Sequence, residues 1–329
     1  MRVLITGGSG FIGTNLVENF LARQDEVVNL DIVAPRNPAH TGYWRYVDLR
    51  DSSAVRLAVQ AVSPEIVLHM GARTDLEGRS IKDYAANTVG VDNLITALEG
   101  LRDLRHVVFA SSRLVCRIGY QPVDEFDYCP STPYGESKVV GEKIVRDADQ
   151  RIPSPWVIVR PTSIWGPWFG VPYKTFFLAV AHGRYRHPGH VRVLKSFGFV
   201  GNTMYALQQL LDAPSHLVSK KTLYLADYPP IDIAEMANTI QQALGVAPIR
   251  SVSIGLLRSA AWVGDCLKVL GWREPPLTSF RLNNLLTPMV HNTDPLQAVV
   301  GDLPYPMQQG VEITVNWLRI AGEVPQKRP

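Results

Sequence analysis

Tyr134 and Lys138 lie four residues apart in the stretch "PYGESK", and together they could form an acid–base pair. Free tyrosine has a pKa near about 10, which is too high for a base at neutral pH. An ammonium about 4 Å from the phenol, at an effective dielectric constant near 20, would favour the phenolate by up to roughly 4 kcal/mol. That corresponds to about three pKa units, so the pair could remove a proton from a hydroxyl group near neutral pH.

The residues before this pair predict the start of a helix. Thr132 is a suitable N-cap, and Pro133 suits the first helical position. On such a helix Tyr134 and Lys138 stand one turn apart on the same face. The alternative interpretation is an ordinary helix start with a structural tyrosine and lysine, so the rest of the chain must supply a reason for phenol chemistry.

A glycine-rich loop near the N-terminus supplies such a reason. In "GGSGFIG", Gly8, Gly10 and Gly13 fit the G-x-G-x-x-G fingerprint, and Gly7, Gly10 and Gly13 also fit G-x-x-G-x-x-G. The loop follows a β-rich run and opens a helix-like stretch. Glycines permit a tight turn and close backbone approach, and the helix N-terminus then faces a pyrophosphate. The sequence therefore predicts a dinucleotide site.

Asp31 lies at the end of the second predicted strand, 18 residues beyond Gly13. A carboxylate in that place accepts hydrogen bonds from the adenosine ribose and repels a 2′-phosphate, so NAD is preferred over NADP. Arg36 is the contrary signal, because a nearby arginine can serve a phosphate. The alternative for the whole set is a parallel-sheet protein with glycine-rich turns and no nucleotide.

The elements that must position these residues alternate between strands and helices. The predicted strands comprise 3–6, 26–31, 44–49, 65–70, 106–111 and 156–160, with periodic helical segments between them. Nearly continuous apolar strands separated by helices are typical of a parallel sheet covered on both faces. The sequence therefore predicts an α/β fold with a doubly wound, Rossmann-like parallel sheet.

The composition changes after Arg160, where "PTSIWGPWFGVP" is rich in proline, glycine and tryptophan. Such a stretch predicts an irregular crossing into a second region. We expect a cofactor-binding domain over 1–165 and a mainly substrate-binding region over 166–329. A β-rich run at 222–227 is expected to return a strand to the sheet.

The overall composition is that of a globular protein. The chain has 329 residues, 46% of them hydrophobic and 19% charged, and no run approaches the roughly 18–20 apolar residues that span a bilayer. Its three cysteines are odd in number, widely spaced and without C-x-x-C, which favours a reducing cytoplasm. The histidines at 182, 187 and 190 have no acid beside them, so we expect no metal site.

The charge is distributed unevenly. From Gln150 to Leu211 there is no acidic residue. The same segment contains the cations Arg151, Arg160, Lys174, Arg184, Arg186, Arg192 and Lys195. One interpretation is solvated surface charge, and the other is a surface that receives an anion, because uncompensated cations raise the local potential. No basic helix periodicity or recognition motif indicates nucleic acid.

The chain resembles the extended branch of the short-chain dehydrogenase/reductase superfamily, which includes nucleotide-sugar epimerases and dehydratases. The resemblance covers about the first 200 residues. The ordered motifs that carry it are "GGSGFIG", Asp31, "DL" (48–49), "HMGA" (69–72), Asn87 in "NTVGVDNL", "SS" (111–112), "YGESK" and "RPTSIWGP" (160–167). Each motif alone is moderately specific, whereas their order along one chain is very specific.

The resemblance implies roles for individual residues. It makes Tyr134 the general base, with Lys138 holding the nicotinamide ribose and Ser112 hydrogen-bonded to the reacting oxygen. The implied cofactor residues are Gly7, Gly10, Phe11, Ile12, Gly13, Asp31, Asp48, Leu49, Met70, Gly71, Ala72, Asn87, Tyr134, Lys138 and Pro161. The implied substrate residues are Ser112, Ser163 and Lys195. Lys195 has a place similar to a pyrophosphate-clamping arginine, and its alternative is a surface lysine.

Several positions depart from the pattern of that family. Arg113 and Leu114 stand where dehydratases carry an Asp-Glu pair, so 4,6-dehydration has no evident acid–base pair. Cys116 replaces the usual tyrosine, and Ser163 replaces an asparagine common in sugar-nucleotide enzymes. The stretch "FVGN" (199–202) is similar to a hydroxysteroid dehydrogenase version.

These observations leave three functional hypotheses. The first is an NAD-dependent epimerase or oxidoreductase of a nucleotide-linked sugar, which uses a Ser-Tyr-Lys relay. The second is a 3β-hydroxysteroid dehydrogenase-like oxidoreductase, and the third is a dinucleotide sensor without turnover. Related enzymes pair two helices from each chain, so the apolar positions Val91, Leu94, Val140 and Ile144 predict a homodimer, unless they face their own sheet.

Overall fold

The computed structural model describes residues 1–189, 191–272, 275 and 277–326. Its strands are β1 (Arg2–Thr6), β2 (Glu26–Asp31), β3 (Trp44–Tyr46), β4 (Ile66–His69), β5 (His106–Ala110), β6 (Trp156–Pro161), β7 (Ser163–Trp165), β8 (His187–Pro188), β9 (Leu194–Lys195), β10 (Phe197–Phe199), β11 (Lys221–Leu225), β12 (Ile231–Asp232) and β13 (Ser251–Val252).

The α-helices are α1 (Phe11–Ala22), α2 (Ser52–Val62), α3 (Val89–Leu98), α4 (Pro133–Asp147), α5 (Tyr173–Ala181), α6 (Val200–Asp212), α7 (Ser215–Val218), α8 (Ile233–Leu244), α9 (Ile254–Val269), α10 (Ser279–Leu286), α11 (Asp294–Val300) and α12 (Met307–Ile320). Short 3-10 helices span Pro38–Tyr43, Ile81–Asn87 and Arg113–Val115. Among the helices described here, none is long and apolar enough to cross a membrane.

Seven strands form one parallel sheet in the order β11-β6-β5-β4-β1-β2-β3. This sheet confirms the predicted doubly wound α/β fold. The strand order reverses between β1 and β4, and ligands of such sheets bind outside the carboxyl ends of the strands at this reversal. The glycine loop after β1 and the "MGA" stretch after β4 both lie at that edge.

The strands of the sheet are buried, which explains why apolar runs in the sequence predicted them. All four residues of β4 are buried, and Val3, Leu4 and Ile5 of β1 are fully buried. A cluster of apolar side chains from the sheet, α2 and α3 includes Leu4, Val67 and Leu94. Because helices cover the sheet on both faces, its strands carry few polar positions.

The chain divides into two compact units. The first comprises residues 1–164, 198–227 and 292–304, and it contains the seven-stranded sheet. The second comprises 165–197, 228–291 and 305–329. Within the second unit α8 packs on α5 and α12, α9 packs on α10, and β12 pairs antiparallel with β9.

Candidate active site

The backbone of the glycine loop after β1 lies close to the backbone of the segment that follows β4. Gly7 has a φ of +70°, and a Cβ on it would lie 2.6 Å from the Cα of Gly71. A Cβ on Gly13 would collide with the backbone of Gly7 and Gly8. The first helix begins at the N-cap Gly10 with no side-chain cap and no acidic residue in its first turn. Larger residues would fill this cradle, whereas the glycines leave a helix N-terminus suited to a diphosphate.

Asp31 is fixed beside the same loop by backbone hydrogen bonds. Its carboxylate accepts from the amide of Ser9 at 3.0 Å and from the amide of Val33 at 3.1 Å. Burial raises the pKa of Asp31, and these bonds oppose the shift because they favour the charged form. The acid at the end of β2 is therefore held in a defined orientation next to the glycine loop.

Two further predicted segments meet at this edge. A Cβ on Gly71 would lie 2.7 Å from Cδ1 of Leu49, and Leu49 is buried. Asp48 pairs with Arg50, with 2.6 Å between carboxylate and guanidinium, and this bond lowers the pKa of Asp48. The structure thus gathers Leu49, Met70 and Gly71 next to Gly7, as the dinucleotide prediction requires, while the role of each residue stays a prediction.

Asn87 ties the loop after β4 to α4. Its amide accepts from the backbone N–H of Arg73 at 2.8 Å and donates to the carbonyl of Arg73 at 3.0 Å and to Oγ of Ser137 at 2.9 Å. Ser137 in turn donates to the carbonyl of Tyr134 at 2.7 Å. The family resemblance implies a cofactor role for Asn87, which stays a prediction, and its hydrogen bonds connect the two segments.

Tyr134 and Ser112 are brought together at the start of α4. Thr132 caps this helix by accepting from the amide of Gly135 at 3.0 Å, which confirms the predicted helix start. A Cβ on Gly135 would collide with the carbonyl of Leu114, so the first turn of α4 lies directly against the segment after Ser112. Tyr134 is 7% exposed, and the hydroxyl of the neighbouring Ser112 lowers the pKa of its phenol.

The pKa of the Tyr134 phenol differs from the value expected from the sequence. Burial raises the pKa of Tyr134, and the Ser112 hydroxyl and the charge of Arg113 oppose that rise. The Lys138 ammonium donates to the carbonyl of Ala110 at 2.9 Å, and burial is the largest cause of the shift in the Tyr134 pKa. The expectation that Lys138 brings the phenol pKa near neutrality is therefore wrong for this arrangement.

Lys138 lies in a buried polar pocket of its own. Burial lowers the pKa of its ammonium to about 8, and the carboxylate of Glu142 opposes that shift. His69 is buried nearby, with Nδ1 2.7 Å from Oγ1 of Thr6, and burial together with the Lys138 charge lowers the pKa of His69 to about 3. His69 is thus neutral at physiological pH, and a part of the Lys138 ammonium can lose its proton there.

A buried ion pair beneath Lys138 was not found from the sequence. Glu142 accepts from Nε of Arg160 at 2.8 Å and from the hydroxyl of Ser111 at 2.5 Å. Both charged side chains are about 1% exposed or less. The sequence feature that could have indicated this pair is the spacing, because Glu142 lies one turn beyond Lys138 on the same face of α4.

A small cavity lies beside Lys138. Its volume is about 20 Å³, room for roughly one water molecule, and its lining includes His69, Asn87, Ser111, Lys138 and Glu142.

The remaining predicted residues are placed as follows. Pro161 ends β6, and Ser163 is buried in β7. Lys195, in the second unit, is 4% exposed and donates to the carbonyls of Asn284 at 2.7 Å and Thr287 at 3.0 Å. Lys195 is therefore not a surface lysine, and its role toward a substrate stays a prediction.

The acid-free segment is compensated by acids from elsewhere in the chain. Arg151 pairs with Glu99 and Asp92, Arg160 with Glu142, and Lys174 with Glu323. The interpretation of uncompensated cations is therefore wrong for these three residues, because ion pairs connect positions far apart in sequence. Of the three histidines, His190 lies outside the described residues.

The chain's own geometry fits a dinucleotide. It offers a cradle that a Cβ would fill, a helix N-terminus without a side-chain cap, and an oriented carboxylate at the end of β2. Ser112 follows the end of β5, and Tyr134 and Lys138 lie in the first two turns of α4. All three residues belong to the first unit.

Comparisons with known proteins agree with this geometry. A model of the NAD dependent epimerase/dehydratase family matches residues 3–219. The chain is 27% identical to a 2-alkyl-3-oxoalkanoate reductase of Stenotrophomonas maltophilia, covering 92% of this chain and 95% of the relative. It is 29% identical to a 3-beta-hydroxysteroid dehydrogenase of Mycolicibacterium neoaurum, covering 74% of this chain and 70% of the relative.

Two further similarities involve enzymes of sugars. The chain is 23% identical to the N-acetyl-alpha-D-glucosaminyl-diphospho-ditrans,octacis-undecaprenol 4-epimerase of Escherichia coli O157:H7, covering 96% of this chain and 95% of the relative. The crystal structure of a Thermus thermophilus UDP-glucose 4-epimerase in complex with NAD superposes with a TM-score of 0.70 at 24% identity, covering 97% of this chain and 99% of that one. This likeness shows the fold.

Proposed function

Since the chain belongs to the NAD-dependent epimerase/dehydratase family and NAD is therefore its cofactor, we propose that it oxidises and reduces a hydroxyl-bearing carbon of a nucleotide-linked sugar. The membership confirms the resemblance to the extended short-chain dehydrogenases/reductases. The observation that carries the proposal is the buried Tyr134 phenol, whose pKa the neighbouring Ser112 hydroxyl lowers, at the start of a helix that also carries Lys138.

The chemistry divides between the cofactor and the protein. When bound, NAD accepts a hydride from the substrate carbon and can return it. Ser112 and Tyr134 orient the hydroxyl of that carbon, and Tyr134 takes its proton during oxidation and returns it during reduction. Burial raises the pKa of the Tyr134 phenol, so the phenol must first lose its own proton before it can take the proton of the substrate. The Ser112 hydroxyl and the Arg113 charge favour that phenolate form.

Lys138 and Asp31 bind the two ends of the cofactor in this proposal. The Lys138 ammonium faces the carboxyl end of β5, where it can donate to the nicotinamide ribose. Asp31, held by the amide of Ser9, would accept from the adenosine ribose. The N-terminus of α1, which has no side-chain cap, would hold the diphosphate.

The substrate class rests on the family resemblance. A nucleotide-linked sugar is supported by the sugar epimerases among the similar proteins. The absence of an Asp-Glu pair at Arg113 and Leu114 weighs against dehydration, so epimerisation or simple oxidoreduction is proposed.

A second candidate is the oxidoreduction of a non-sugar substrate such as a 3β-hydroxysteroid. It is favoured by "FVGN" at 199–202 and by the reductase and steroid dehydrogenase relatives. The burial of Lys195 against two backbone carbonyls also removes one argument for a diphosphate-linked substrate.

The test is turnover of the purified protein with NAD and, in separate reactions, UDP-glucose, UDP-glucuronic acid and a 3β-hydroxysteroid. Products are separated by chromatography, and reduced nicotinamide is followed by its absorbance. Conversion of a nucleotide sugar supports the first proposal, and conversion of the steroid alone replaces it by the second. NAD binding without conversion of any of them favours a dinucleotide sensor.

A further inference from the structure

The ninth helix presents an apolar face to solvent. Within α9 only Ala261 and Gly264 are buried. A Cβ on Gly264 would collide with the carbonyl of Leu277, so this side of the helix packs tightly on the segment that leads into α10. The rest of α9 lies outside the core of the second unit.

The exposed side chains of this region are large and apolar. Val269 is 88% exposed, Leu270 81% and Trp262 66%. We define the α9–α10 patch as the exposed apolar residues Leu256, Trp262, Val263, Val269, Leu270, Trp272 and Phe280. Helical residues that point to solvent are ordinarily polar, so a face of this composition marks an interaction surface.

The charges around the patch have one predominant sign. The described cations are Arg258, Lys268 and Arg281, whereas the described acid between residues 253 and 281 is Asp265. The Asp265 carboxylate accepts from the amide of Ser279 at 3.2 Å, so it is engaged at the start of α10. Arg273 and Glu274 lie outside the described residues and carry opposite charges. The patch is therefore apolar, aromatic and cationic.

We propose that the α9–α10 patch docks the protein on the surface of an anionic lipid bilayer. Tryptophan is favoured at the boundary of headgroups and acyl chains, where its ring is apolar and its N–H meets water, and phenylalanine adds to the apolar face of an interfacial helix. Lysine and arginine beside them attract anionic headgroups. Contact of this kind needs no helix that spans the membrane, because an interfacial helix lies in the plane of the surface.

The same charges disfavour a second copy of the chain as the occupant. A two-fold contact would place the same patch on both subunits, and its cations would then face one another with Asp265 as the described counter-charge. Like charges across an interface cost free energy, whereas an anionic bilayer complements them. Charge complementarity therefore selects the lipid surface.

The test is co-sedimentation of the full-length protein with vesicles. Binding is expected to vesicles that contain phosphatidylglycerol and to be much weaker to pure phosphatidylcholine. The double substitution of Trp262→Ser and Trp272→Ser is expected to weaken binding by about tenfold or more, because it removes two side chains from the boundary. Lys268→Gln is expected to weaken it about fivefold, since each basic residue near such a surface contributes about 1 kcal/mol.

Matched control variants distinguish vesicle binding by the α9–α10 patch from nonspecific adsorption. Ile320→Ser removes another exposed apolar side chain (87% exposed), and Lys82→Gln removes another exposed lysine, and neither is expected to change vesicle binding. Equal binding of all variants, or no binding of the unmodified protein to phosphatidylglycerol vesicles, overturns the proposal. It is also overturned if the tryptophan substitutions convert a dimer to a monomer in sedimentation without any vesicle binding, because the patch is then an interface between copies.

Discussion

At the scale of single residues, Lys138 is proposed to hold the nicotinamide ribose, and a pH titration of NAD binding tests this role. Burial lowers the pKa of its ammonium from 10.5 to about 8, so the charged form is lost as pH rises through that value. If the ammonium holds the nicotinamide ribose, NAD affinity should fall over the same range. Isothermal titration calorimetry at pH values on both sides of about 8 measures this dependence.

Substitution of the same residue supplies the control for that titration. Lys138→Met should weaken NAD binding by about tenfold to hundredfold, the usual worth of a hydrogen bond to a charged group, and should remove its pH dependence near 8. Lys143→Met changes an exposed lysine on the same helix and should alter neither property. A pH-independent affinity in the unmodified protein would remove Lys138 from the cofactor site.

Asp31 determines the choice between the two nicotinamide cofactors. The unmodified protein should prefer NAD, and Asp31→Asn should reduce that preference about tenfold or more, because it removes the charge that repels a 2′-phosphate. The asparagine keeps an acceptor for the amide of Ser9, so the glycine loop should keep its conformation. Competition binding with NAD and NADP measures the ratio, and comparable affinities in the unmodified protein contradict the assignment.

Individual residues show how far sequence reasoning reaches. The proximity of Ser112 and Tyr134 followed from the order of their motifs, because both lie at the carboxyl edge of the sheet. The pKa of Tyr134 did not follow, because burial and the direction of the Lys138 ammonium depend on tertiary packing. The Glu142–Arg160 pair was missed for a similar reason, since Arg160 lies on a strand 18 residues further along the chain.

At the scale of elements, that pair joins α4 to β6 and should matter for stability. Arg160→Met leaves the Glu142 carboxylate buried without its main counter-charge, and removing one partner of a buried ion pair costs about 3–5 kcal/mol of unfolding free energy. Arg151→Met is the matched control, because its pairs with Asp92 and Glu99 are about half exposed and should contribute less than about 1 kcal/mol. Chemical denaturation of both variants measures the difference, and equal losses would contradict the role of the buried pair.

The sheet was the most predictable element of the fold. Its strands are buried on both faces, so their apolar runs are visible in the sequence without knowledge of the pairing. The distribution of charge was less predictable, because Arg151 and Lys174 find acids 52 and 149 residues away. A segment without acids is therefore weak evidence for an anion-binding surface until its long-range partners are known.

At the scale of the whole molecule, the proposed homodimer cannot use Val91 and Leu94 as contact residues, because both belong to the apolar core of their own chain. Val89, at the start of α3, is 49% exposed and remains available for pairing of α3 and α4 between chains. We expect a dimer in sedimentation velocity at micromolar concentration, weakened by Val89→Asp because a carboxylate would be buried without a partner. A monomer under these conditions contradicts the proposed assembly.

The central claim is that Tyr134 transfers the substrate proton in an NAD-dependent reaction, and one comparison tests it most directly. Single-turnover reduction of NAD is followed in the unmodified protein and in Tyr134→Phe, with the substrate identified from the nucleotide sugars or the steroid.

Tyr84→Phe serves as the control, because the Tyr84 ring lies 5.9 Å from that of Tyr134 and the Tyr84 hydroxyl donates to the carbonyl of Asp75. Tyr84→Phe should lose stability while its folded molecules keep their turnover. Tyr134→Phe should still bind NAD and react about 10²–10⁴ times more slowly, the usual worth of general acid–base catalysis. A folded Tyr134→Phe protein with near-normal turnover would contradict the account.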